Sequence, residues 1–312
     1  MDRRSFLKAS LGLTLVGSGL SAANNLFAAR KKKKPVKWRT SRAEPIKTNE
    51  SVFDDIIKTA KTHSWETYSI GALMGLIAQK FYGTPYVAGT LDINDMQESC
   101  VVNFLELDCV TFYETVLTLA RIIKKGKTSI DDYIQELTFI RYRKGHLDDY
   151  TSRLHYTSDW IFDNVKKDVV DDITSIIGGE PIKYDVFFMS ENSELYPTLR
   201  KIPKMIAEIE SYEDSIGKRT YYYIPNDKVA SLSDRIQTGD IICIVTNKQG
   251  LDYSHTGLAV VENGAVRFCH ASSKAKKVLL DVTIDQYLEG NSSSKGISVF
   301  VPKKSCSQKW LI

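Results

Sequence analysis

A cysteine in Leu107-Asp108-Cys109-Val110-Thr111-Phe112-Tyr113-Glu114 and two histidines far downstream, His255 within Ser254-His255-Thr256-Gly257 and His270, are the residue types of a thiol nucleophile, its base and an orienting group. Phe112, Tyr113, Val116, Ala120 and Ile123 fall on one helical stripe, so the spacing predicts a long helix with Asp108 as N-cap and Cys109 at its head. A thiol there faces unpaired backbone N–H groups and the positive end of the helix dipole, which should lower its pKa from about 8.5. A neighbouring imidazolium would lower it further. Alone, such a cysteine is better read as a small buried residue; the histidine pair, with an export signal at the N-terminus, is what turns the reading towards chemistry.

The histidines can cooperate only if a hairpin brings them together. Asn263-Gly264 between two β-type runs is a strong signal for a two-residue type I′ turn. That turn sets His270 opposite Gly257 and His255 opposite Ser272, so both imidazoles share one face as diagonal neighbours, with α-carbons roughly 7 to 8 Å apart. Gly257 leaves room between them. Leu258 and Cys269 then point to the other face, into the core.

The elements needed to hold this arrangement run helices first and strands later. Residues 51–62, 66–82 and 129–141 carry helical periodicity, and Leu199 to Tyr212 reads as a further helix within a mixed middle section, 145–235. From Ile241 the pattern is β: Ile241 to Val245, His255 to Val261, Ala265 to His270, Lys277 to Val282 and Ile297 to Val301. Helices followed by strands argue for an α+β fold.

Five cysteines in 312 residues, Cys100, Cys109, Cys243, Cys269 and Cys306, are too few and too scattered for a disulfide framework, and no pair sits at zinc-ligand spacing. Cys243, inside an apolar run, reads as core. The net charge of +4 divides unevenly: residues 1–39 hold ten Lys or Arg against Asp2, leaving about −5 on the remainder. A body of that sign with no visible basic face makes nucleic acid a poor partner. The tail has another explanation. Arg3-Arg4-Ser5-Phe6-Leu7-Lys8, a short apolar run and small residues near Ser21 to Ala23 follow the order of a twin-arginine signal peptide. The segmentation expected is therefore a signal peptide over 1–29, a basic linker over 30–50 and a catalytic domain over 51–312. Location is periplasmic, with membrane contact only through the N-terminal segment.

Six ordered stretches carry a family resemblance: Gly83-Thr84-Pro85-Tyr86-Val87-Ala88-Gly89-Thr90-Leu91, Leu107 to Phe112, Ser152-Arg153-Leu154-His155-Tyr156, Gly239-Asp240-Ile241-Ile242, Leu251-Asp252-Tyr253-Ser254-His255 and His270-Ala271-Ser272. Over about residues 50–302 the chain resembles the bacterial N-acetylmuramoyl-L-alanine amidases of the papain-like NlpC superfamily. The resemblance implies a permuted papain-like core, the nucleophile helix packed on an antiparallel sheet. It implies cleavage of the amide between N-acetylmuramic acid and L-alanine in muropeptides, 1,6-anhydro forms included, without metal or cofactor. It assigns Cys109 as nucleophile, His255 as base, His270 as the polar third member and Tyr86 to the oxyanion side. Arg153, His155, Tyr156, Asp252 and Ser254 become substrate contacts. A forked guanidinium suits a stem-peptide carboxylate, although Arg153 reads equally as a surface ion pair, and His155 and Tyr156 as packing. The residues also leave open a γ-D-glutamyl-diaminopimelate endopeptidase, a non-catalytic wall-fragment-binding module, and a metal site built from Cys109 and the two histidines.

Overall fold

Apolar residues at helical spacing in Asn49–Thr62 (α1) bury Val52, Phe53, Ile56 and Ile57, and Thr48 and Ser51 close a capping box at its start. The structure, a computed structural model, describes residues 38–40, 48–92 and 97–304, all within one unit, Val36–Ile312. The expected signal peptide lies outside the described residues. Within the span expected as linker, Trp38–Thr40 (β1) pairs in parallel with Cys100–Val102 (β2), and α1 begins at Asn49.

The helix expected over 66–82 is shorter, Ile70–Lys80 (α2), because Ser69 is extended and caps it. Cys109–Lys124 (α3) and Ile130–Arg141 (α4) occupy their expected places, and Thr157–Lys166 (α5) follows. Short α6 (Phe188–Glu191) leads to α7 (Pro197–Lys201) and α8 (Ile206–Gly217). One helix was expected across the last two. Pro203 divides it, since a proline disfavours helical geometry in the residue before it, and Ile202 is non-helical at φ −129°, ψ 68°. The last helices are α9 (Asn226–Leu232) and α10 (Ile284–Glu289). No helix among the described residues is long and apolar enough to cross a membrane.

Eight strands form the main sheet: β3 (Val170–Asp172), β4 (Glu180–Ile182), β5 (Tyr221–Pro225), β6 (Ile241–Thr246), β7 (Tyr253–Glu262), β8 (Ala265–Ser272), β9 (Lys277–Thr283) and β10 (Ser294–Pro302). Their order is β4-β5-β10-β6-β7-β8-β9, with β3 also paired to β10, and every pairing is antiparallel. The fold is α+β. Both faces of β6 are covered, which is why it reads as an unbroken apolar run. Ile241, Cys243 and Val245 join the larger core with Phe112, Val116 and Leu117 of α3, while Ile242 and Ile244 meet Val229, Ile284 and Leu288 of α9 and α10.

The β7–β8 hairpin has the expected register. Leu258 faces Cys269, Ala259 faces Phe268 and Glu262 faces Ala265, around Asn263 and Gly264 at φ 53° and 78°. Two consecutive positive φ values are what a type I′ turn needs. Leu258 and Cys269 are fully buried in the larger core, as the register demands.

Candidate active site

Cys109 is the first residue of α3, and Asp108 caps the helix by accepting the Thr111 N–H at 2.7 Å. The Asp108 backbone N–H returns the bond to the Thr111 hydroxyl oxygen at 2.8 Å, so the entry to the helix is held from both sides. The thiol is half-buried. The Thr256 backbone and hydroxyl face it. Thr256 directly follows His255 in β7, so the head of α3 meets the strand that carries the first histidine.

The two imidazoles are bonded to one another. His255 Nε2 and His270 Nδ1 are 2.6 Å apart, with the ring planes at 89°. A Cβ at position 257 would come within 2.8 Å of His270 Cβ and 2.6 Å of the Cys269 carbonyl, so only glycine leaves this space. Phe268 stacks on His270 at 4.5 Å, and Tyr287 of α10 lies against both rings, at 6.1 Å from His255 and 5.2 Å from His270.

The charge state differs from the expectation of a preformed thiolate. Burial pushes the Cys109 thiol up to about 12, with the Asp108 charge adding to it, and Thr256 only partly opposes this. Burial, helped by His270, lowers His255 to about 3. Desolvation outweighs the helix N-terminus here. At neutral pH both the thiol and the imidazole therefore rest neutral.

A carboxylate unforeseen in the sequence completes the row. Asp281 Oδ2 lies 3.1 Å from His270 Nε2, and Oδ1 accepts the Val282 N–H at 2.8 Å. Asp281 stands where the β8–β9 register shifts between Arg267 and Cys269. Such a bulge re-aims side chains, so alternation along the strand could not reveal the contact. The only signal was an acid inside an otherwise apolar strand.

Tyr86 is half-buried, and its backbone is tied to β9's approach through the Lys276 carbonyl at 2.9 Å. It forms a bridge with Leu107, two residues before the thiol. Burial, with the charges of Cys109 and Asp108, raises its hydroxyl to about 12, so it remains a donor at neutral pH. Ser254 occupies the register shift between β6 and β7, just before His255, and its buried hydroxyl has no internal partner.

The other sequence-selected residues have internal duties. Asp252 is buried, one oxygen accepting the Ser158 N–H and the other the Tyr253 N–H, each at 2.7 Å. The buried Tyr156 hydroxyl donates to Glu213 at 2.7 Å and accepts the Met189 N–H at 3.0 Å. Both are held in place by these internal bonds. Arg153, read as a substrate contact with a surface ion pair as the alternative, is 5% exposed and lies between Asp92 at 2.5 Å and Glu98 at 3.6 Å. Two carboxyls already surround that guanidinium, which removes the attraction for a third. His155 is half-buried, with Nε2 2.8 Å from the Tyr150 carbonyl.

Among the described residues, Cys100, Cys109, Cys243 and Cys269 are free thiols, and no group of three His, Cys, Asp or Glu is arranged to hold a metal ion. A cavity of about 290 Å³ opens beside the β6–β7 loop, lined by Lys183, Tyr184, Thr246, Lys248 and Lys295 among others; none of its lining residues belongs to the thiol–histidine group.

A helix-borne thiol set against a hairpin that carries two bonded histidines is an arrangement suited to acyl transfer. Residues 76–297 match the N-acetylmuramoyl-L-alanine amidase-like family, and the chain belongs to that family. Among solved structures it is similar to an N-acetylmuramoyl-L-alanine amidase from Bacteroides uniformis, at 35% identity and TM-score 0.71, over 75% of this chain and 99% of that one. A Bacteroides fragilis structure with a provisional xylanase label is 37% identical, at TM-score 0.68, over 72% and 99% of the two chains. A Legionella pneumophila protein at 24% identity and TM-score 0.62, covering 82% and 97%, shares the fold. A search of curated proteins found no match.

Proposed function

We propose that the chain is a cysteine amidase that hydrolyses the amide between N-acetylmuramic acid and L-alanine in muropeptides, 1,6-anhydro forms included. The observation that carries this is the Cys109 thiol lying against the strand of His255, whose ring is bonded to His270. The amidase-like family and the Bacteroides uniformis amidase support the choice of bond. The helix-on-sheet packing agrees with a permuted papain-like core.

Because thiol and imidazole both rest neutral, the proton moves during attack. As the sulfur bonds to the lactyl carbonyl carbon, His255 takes the thiol proton and becomes imidazolium. The imidazolium passes that proton to the alanine nitrogen as the C–N bond breaks, releasing the peptide and leaving a thioester. Water then gives a proton to His255 while its oxygen attacks the thioester, and the thiol is restored as the muramic carboxyl departs. Unpaired N–H groups at the head of α3 and the Tyr86 hydroxyl would hold the developing oxyanion. Ser254 and His155 remain the substrate contacts in this reading. Glycosidic cleavage would use a pair of carboxyls flanking the bond, whereas Asp108 is engaged by Thr111 and Asp281 by His270 and Val282. The twin-arginine-type order of the N-terminal residues supports a periplasmic location for this activity.

Mass spectrometry of products from a muropeptide of known structure tests the proposal. Free muramic sugar with an intact peptide that begins at L-alanine is expected. Cleavage between D-glutamate and diaminopimelate would replace it with an endopeptidase.

A further inference from the structure

We infer that Asp281 sets the direction of hydrogen bonding through both imidazoles, and so keeps the Nδ1 lone pair of His255 free to act as the base. This rests on the catalytic reading of Cys109 and His255, and extends it to a residue outside the six sequence stretches.

The argument is one of donors and acceptors. His255 Nε2 and His270 Nδ1 face each other at 2.6 Å, and one proton must lie between them. For two neutral rings alone, either polarity satisfies that bond. Asp281 removes the ambiguity, because an ionised carboxylate only accepts. His270 must therefore carry its proton on Nε2, which faces Asp281 Oδ2 at 3.1 Å. A neutral imidazole has a single N–H, so His270 Nδ1 is the acceptor and His255 Nε2 the donor. The lone pair of His255 is then on Nδ1, the nitrogen with no hydrogen bond among the described residues. With the chain reversed, Nδ1 would already hold a proton and could not take one from the thiol.

Each ring and the carboxylate are in the state this needs. Burial lowers both histidines, so both stay neutral at neutral pH. For Asp281, burial is outweighed by the Val282 N–H, His270 and the Arg267 charge, and the carboxyl lies below its usual range. Arg267 Nε also donates to the Asp281 carbonyl at 2.8 Å, fixing the backbone at the register shift. Phe268 and Tyr287, whose rings lie against both imidazoles, add no charge there. Asp281 touches neither thiol nor substrate in this scheme and is a positioning residue.

Asp281→Asn should reverse the row. The Val282 N–H holds Oδ1, which leaves the amide NH₂ facing His270 Nε2 and forces both ring protons to Nδ1. ¹⁵N NMR of the histidine-labelled full chain is expected to show Nε2–H on His255 and His270 in the native protein, and Nδ1–H on both in the variant. Turnover of a defined muropeptide should fall about tenfold to a hundredfold, less than for a tautomer lock in direct contact with the base, because one further ring and partial solvent exposure intervene. Asp281→Glu, which keeps an acceptor, should restore the native tautomers and part of the rate. Unchanged ring protonation in Asp281→Asn would overturn the inference. Reversed tautomers with undiminished turnover would keep the polarity but remove His255 as base, a failure of the catalytic reading itself.

Discussion

Two groups of ionisable side chains meet α3 about one and a half turns apart, at Cys109 and at Glu114, and they handle charge in opposite ways. Behind α3, Glu114 meets Arg141 at 2.7 Å and accepts the Trp160 indole N–H at 2.9 Å, while Arg141 also donates to the Val101 carbonyl at 2.6 Å. At the head of the same helix, Cys109 and His255 are both driven to their neutral forms. A buried charge with a full set of partners is a fixed strut, since moving it would leave its partner exposed to a low-dielectric interior. A buried acid and base without charge can still exchange a proton. The contrast teaches where to look for chemistry: at groups whose burial has been balanced by neutrality rather than by pairing.

The sharpest way to break this contrast is to remove one member on each side. Cys109→Ala should lower kcat/KM on a muropeptide by about 10⁴ or more, as loss of a nucleophile does, with little change in melting temperature. Substantial turnover in that variant would end the nucleophile assignment. Glu114→Ala should do the reverse. It strands the Arg141 guanidinium, and thermal unfolding is expected to show a loss of about 3–5 kcal/mol, with turnover per folded molecule preserved. If stability held while turnover collapsed, the strut would belong to the site.

Acid unfolding sharpens the neutral side of the comparison. His255 titrates near 3 when folded against about 6.5 unfolded, so on lowering the pH the unfolded chain takes up a proton first. Stability from this group is complete above about pH 6.5 and drains away as the pH falls from there towards 3. His255→Asn should therefore give a shallower decline of melting temperature over that window than the native chain, which His270 and His155 still steepen. Coinciding curves would mean the imidazole is not held neutral.

What could be read from residues alone follows the range of the interactions involved. The head of α3 was legible because cap, thiol and apolar stripe lie within sixteen residues, and the histidine pairing because Asn263-Gly264 fixes register locally. The break at Pro203 was written in the sequence but masked by the apolar spacing on either side. The partners of Arg153 are contributed by Asp92 and Glu98 on a distant stretch, and Asp281 is aimed by an irregularity in pairing. The direction of the thiol shift was misread for the same reason. A helix start is visible in a few residues, whereas the depth to which the fold buries it is not.

Asp108 tests that last point with the smallest effect. Its carboxyl does two things at once: it caps α3 through Thr111, and its charge adds to the burial that raises the thiol. Asparagine is as good an N-cap as aspartate, so Asp108→Asn should leave the melting temperature nearly unchanged, whereas Asp108→Ala should cost about 1 kcal/mol. The charge is separable from the cap in the same pair of variants. Asp108→Asn is expected to lower the Cys109 pKa and speed its alkylation by iodoacetamide severalfold at pH 8, because a larger fraction is then thiolate. Burial itself raises the Asp108 carboxyl, which limits the gain to the fraction that is ionised in the native chain. If alkylation does not quicken, the carboxyl is already protonated beside the thiol, and desolvation alone keeps the sulfur neutral.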